Sequence, residues 1–115
     1  MIKQIKHFNS IHHQEIFPKD GNVYTIREAR IIKTLSEPEL LEYFDLYDTT
    51  TSRPSTANYS VGIFADNKNK MNMVCVYKKG ESSPVFTDKG MSSVHFKNKE
   101  FFKTYIVTLI NRVIK

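Results

Sequence analysis

The chain has 115 residues, 40% of them apolar, with eight Phe and six Tyr, which excludes a disordered polypeptide and allows one modest core. A formal net charge of +5 and a pI near 9.3 favour association with something acidic: nucleic acid, a membrane surface or an acidic protein. Cys75 stands alone, which excludes an internal disulfide, and no apolar run reaches the length of a membrane helix.

These bounds predict a single domain over 1–115, cytoplasmic (intracellular) and not held in a membrane. The stretch Met1 to Phe8 is too polar for a signal peptide. Frequent Lys, Asn, Ile and Phe hint at AT-rich coding, as in low-GC bacteria, their phages or some viruses.

Met1 to Phe17 carries Ile2, Ile5, Phe8, Ile11, Ile16 and Phe17 without a clean period, so a strand and a short helix fit equally. Pro18 to Asn22 reads as a turn, because Pro fixes φ and Gly21 and Asn22 accept positive φ. Thr25-Ile26-Arg27-Glu28 has the form of a capping box, followed by Ile26, Ala29, Ile32 and Leu35 at helical spacing. Ser36-Glu37-Pro38-Glu39 repeats that signal. A second helix is predicted to about Tyr47, with Leu40, Phe44 and Tyr47 on one face and Glu42, Asp45 and Asp48 on the other.

A polar loop is expected over about 48–58. Tyr59 to Phe64 and Met71 to Tyr77 read as strands joined by a hairpin tip at Asp66 to Lys70. A turn at Lys79 to Pro84, a short strand at Val85 to Thr87, a turn at Asp88 to Gly90 and a stretch from Met91 to Phe96 follow. Last comes a broad apolar stripe of Phe101, Phe102, Tyr105, Ile106, Leu109, Ile110, Val113 and Ile114, with Asn98 as its cap. The expected fold is α+β: two N-terminal helices, an antiparallel β-meander and a packed C-terminal helix.

Charge is divided along the chain. Glu37, Glu39, Glu42, Asp45 and Asp48 form an acidic stretch without a base, whereas ten Lys/Arg face four acids from Asp66 to Lys115. Two binding readings follow. In the first, a small non-enzymatic accessory or regulatory protein contacts nucleic acid, including single strands, through Lys68, Lys70, Lys78, Lys79, Lys89, Lys97 and Lys99. Tyr59, Phe64, Tyr77 and Phe86 lie among these lysines and would stack on bases where exposed, Tyr77 being the ring selected. In the second, a protein-interaction module or inhibitor of the phage or mobile-element type docks through the acidic helix 37–48. Opposite fields on one small body also allow a homodimer.

Chemistry is less well served. His12 and His13, with His7 nearby, are adjacent rather than four apart, so they point away from each other and no metal is expected. Cys75 lies among Met73, Val74, Val76 and Tyr77, where a thiol fills core more readily than it serves as a nucleophile with His95. Without a phosphate loop or a nucleophile elbow, neither catalytic residue nor cofactor is expected.

Two resemblances are short. Val23 to Ser36 with Leu40 and Tyr43 resembles the helix-turn-helix opening of MerR-type regulators. Arg30 and Thr34 replace small residues there, and Glu37, Glu39 and Glu42 would repel DNA from the recognition helix, so DNA reading is not expected of it. The layout from Tyr59 onward, with Asp88-Lys89-Gly90-Met91-Ser92, is similar to single-strand-binding coactivators of the positive cofactor four type, without a diagnostic motif.

Overall fold

The computed structural model describes residues 13–28, 40–50, 57–66, 71–91 and 98–114. They form a six-stranded antiparallel sheet and one C-terminal helix. The strands are β1 (Glu15–Ile16), β2 (Tyr24–Glu28), β3 (Leu40–Asp48), β4 (Tyr59–Asp66), β5 (Met71–Lys78) and β6 (Phe86–Met91), and the helix is α1 (Lys99–Val113). Each strand pairs with its neighbour in sequence, so the sheet is a simple meander.

The two predicted N-terminal helices are not found among the described residues, which corrects the expected fold. Thr25 to Glu28, expected to open a helix, lie in β2, and the described part of the expected acidic helix 37–48, Leu40 to Asp48, is β3. Residues 29–39 lie outside the described residues, as do 51–56 of the expected polar loop. At Tyr24 to Glu28 and at Leu40 and Tyr43 the helix-turn-helix resemblance therefore meets strands. The physical reason is burial on both faces. Phe44 and Leu46 pack on one side of β3, and Tyr43 and Tyr47 are buried on the other. Such a strand presents a nearly continuous apolar run that fits a helical period by accident.

On the first face, Ile26, Phe44, Leu46, Val61, Ile63, Val74 and Val76 meet the buried stripe of α1: Phe102, Ile106, Leu109, Ile110 and Val113. Each large side chain taken fully out of water there contributes about 1.5–3 kcal/mol before ordering costs. Phe44 meets Phe102 edge-on, with centroids 6.0 Å apart and planes at 77°, a geometry the ring quadrupoles favour. Asn98 caps α1, its Oδ1 accepting the Phe101 N–H at 2.9 Å. At the other end, Asn111 Oδ1 accepts the backbone N–H of Lys19 at 2.7 Å, tying the helix to the turn between β1 and β2.

The second face carries a smaller cluster of Tyr43, Phe64, Cys75 and Tyr77, with Leu40 and Met73 against it. The Tyr43 and Tyr77 rings lie 6.4 Å apart. Gly62 sits beneath this cluster, and a Cβ added there would come within 3.0 Å of the Phe64 ring. The close approach explains a glycine in the middle of a strand.

Two bulges redirect side chains. Leu40 pairs with Phe64 and Glu42 with Ile63, so Leu41 is the extra residue in β3. That insertion turns Glu42 onto the face of α1, where it is 2% exposed. Asn72 pairs with Met91 and Met73 with Lys89, so Gly90 is the extra residue in β6. Its φ of +89° is open to glycine and costly for other residues. The predicted turn at Asp88 to Gly90 is thus a bulge within one strand.

Candidate nucleic-acid interface

A meander converts order in sequence into order in space. In the flank from β1 to β4, the residues with described side chains include five acids (Glu15, Asp20, Glu42, Asp45, Asp48) and two bases (Lys19, Arg27). From β5 to α1 they include six bases (Lys78, Lys79, Lys89, Lys99, Lys103, Arg112) and three acids (Glu81, Asp88, Glu100). Among the described residues, then, the division of charge along the chain is also a division across the sheet.

The selected lysines fall into three groups. Lys78 closes β5 and Lys79 begins the turn after it, and both are exposed. Lys89 is exposed on β6, opposite Met73 and therefore on the second face. Lys99 is exposed in the first turn of α1. Lys68, Lys70 and Lys97 lie outside the described residues. Lys78 pairs with Tyr59 on the side of α1, so the lysines occupy both faces of one flank rather than one patch. From Met73 to Lys78 is five residues along β5, roughly 17 Å at about 3.3 Å per residue.

Aromatic rings on this flank are already occupied. Tyr77, selected for stacking, is 7% exposed and lies against Tyr43. Phe64 is buried with it. Tyr59 is half-buried in the larger core beside Tyr24, and Phe86 lies under the Arg112 guanidinium at 5.7 Å. Arg112 was missed in the sequence, although a cation in the last turn of a helix suits its dipole.

The acids of β3 do not form one docking face. Glu42 points to the α1 side and is buried. Asp45 lies on the opposite side, half-buried, accepting the Ser60 hydroxyl at 2.7 Å. Asp48 accepts the Asn22 side-chain amide at 3.0 Å and the Thr50 backbone N–H at 2.9 Å. Glu37 and Glu39 lie outside the described residues. The spacing that would align these acids on a helix scatters them on a strand.

Cys75 is buried on the second face, its Sγ 3.8 Å from Thr87 Oγ1. Burial pushes its thiol above the ordinary value, more than Thr87, Tyr77 and Lys89 lower it. A thiol held protonated there is poorly placed as a nucleophile. His13 is exposed, with φ +69°, and its backbone N–H donates to the Ile26 carbonyl. Among the described residues, no three His, Cys, Asp or Glu side chains group as metal ligands, and no helix is long and apolar enough to cross a membrane.

Two contacts that sequence reasoning missed fix the ends of the sheet. The Tyr105 hydroxyl donates to Asp88 Oδ2 at 2.6 Å, and the Tyr24 hydroxyl donates to Asp20 Oδ2 at 2.8 Å. The first couples two elements 17 residues apart, which no local spacing reveals, and the second ties β2 to the turn before it.

No family model, curated protein or solved structure matches this chain.

Proposed function

We propose that this protein is a non-enzymatic accessory protein that binds nucleic acid along its β5–β6–α1 flank. One observation carries the reading: Lys78, Lys79, Lys89 and Lys99 are exposed and have no carboxylate partner among the described residues. Unpaired ammonium groups on one flank release condensed counterions when they meet phosphates, and that release drives association.

The test is fluorescence anisotropy with labelled single- and double-stranded oligonucleotides over a salt series. Four lysine–phosphate contacts give a log–log salt slope of about −3 to −4. Lys78→Glu with Lys79→Glu should weaken binding and flatten that slope by about 2. Affinity that ignores salt, or no binding at low salt, overturns the proposal.

A further inference from the structure

We infer that the flank recognises the phosphate backbone alone, without stacking on bases, so that its ligand class is any nucleic-acid strand irrespective of sequence. The inference rests on the nucleic-acid reading above and adds the mode of recognition. Tolerant single-strand binders combine a cationic groove with aromatic faces on which successive bases lie. Among the described residues the cations are exposed and most ring faces are spent. Tyr77 and Phe64 are buried in the second-face cluster, and Tyr59 packs into the core beside Tyr24. Arg112 covers Phe86, and Tyr105 is half-buried with its hydroxyl bonded to Asp88. Among the described residues of this flank, Phe101 is the one aromatic ring substantially exposed, at 44%. A single ring in the first turn of α1 is not a platform for successive bases.

The exposed cations suit contacts to phosphates alone. Lysine serves such contacts as a point charge without reading a base edge.

The experiment compares the intact wild-type chain on two labelled strands of equal length: an oligothymidylate and its abasic deoxyribose-phosphate counterpart. Equal affinity within about threefold, with the same salt slope, is expected. Stacking would instead separate them by about 5- to 150-fold for each base engaged. An abasic strand bound more than about threefold more weakly overturns this inference while leaving nucleic-acid binding intact. If Phe101→Ala then removes that preference, the discrimination belongs to this ring. Failure of both strands to bind overturns the nucleic-acid reading itself, and the inference with it.

Discussion

Tyr105 and Asp88 join the helix to the edge of the sheet: the phenolic hydroxyl donates to the carboxylate at 2.6 Å across 17 residues of chain. Asp88 faces α1 because it pairs with Val74, whose side chain lies in the larger core. Tyr105→Phe keeps the ring and removes the donor. The expected loss is about 1 kcal/mol, at the low end for a charged acceptor because Asp88 is only half-buried. A urea midpoint that does not move would show that the bond adds nothing to stability.

Alkaline solution should destabilise the fold. Burial, reinforced by hydrogen bonds to Asp88 and Asp20, raises the Tyr105 and Tyr24 hydroxyls above their ordinary 10.0. Burial and the neighbouring Cys75 raise Tyr77 likewise. The folded chain keeps these protons at a pH where the unfolded chain releases them. Their contribution is therefore complete below about pH 10 and declines as pH rises beyond it. Denaturation midpoints near pH 8 and near pH 11 should differ accordingly, and equal midpoints would contradict the assignment.

Gly62 and Gly90 should fail for different reasons when replaced by alanine. At Gly62 the new methyl presses on the buried Phe64 ring at 3.0 Å and Tyr43 at 3.4 Å. Overpacking of about 1–3 kcal/mol exceeds the roughly 0.5–1 kcal/mol that alanine gains in backbone entropy, so a net loss follows. At Gly90 the methyl meets nothing within 4 Å, and the cost of about 1–2 kcal/mol comes from φ +89° alone. Gly90→Asn should recover part of that loss, whereas no larger residue should rescue position 62. Thermal melts of the three variants decide the matter.

Cys75 should react slowly with an aromatic disulfide reagent. Its thiol is buried and held protonated, so modification must wait for opening of the sheet. The rate should rise with urea in step with unfolding. Modification of the native protein as fast as that of a small unhindered thiol would contradict this placement.

Phe44→Ala should be the most damaging single change on the α1 face. Phe44 is fully buried and meets Phe102 edge-on. Truncation of such a ring costs about 3–5 kcal/mol, much of a small domain's stability. Loss of cooperative melting is expected, and a near-normal melt would show that the core refills the gap.

α1, β4 and β5 were legible in the sequence. α1 stands on its apolar stripe with Asn98 as its cap, and β4 and β5 begin at Tyr59 and Met71 as alternation and β-branched content suggest. β3 was not legible, because Leu40, Phe44 and Tyr47 fit a helix as well as Tyr43, Phe44, Leu46 and Tyr47 fit a strand buried on both faces. Its aromatic content was the stronger signal. β2 was obscured by a capping-box pattern, Thr25 and Glu28, which has meaning only where a helix follows. The lysines of the candidate interface were legible as a charge excess, but the burial of Tyr77 was not, since it depends on Tyr43 two strands away.

The meander also governs how the molecule is made. Each strand finds its partner next to it in the chain, so hairpins can close early at little entropic cost. Their cover, Lys99–Val113, follows all six strands in the chain. During synthesis the Phe44, Leu46, Val61 and Ile63 surface therefore stays bare until α1 has left the ribosome. In that interval the nascent chain is open to chaperones and to aggregation.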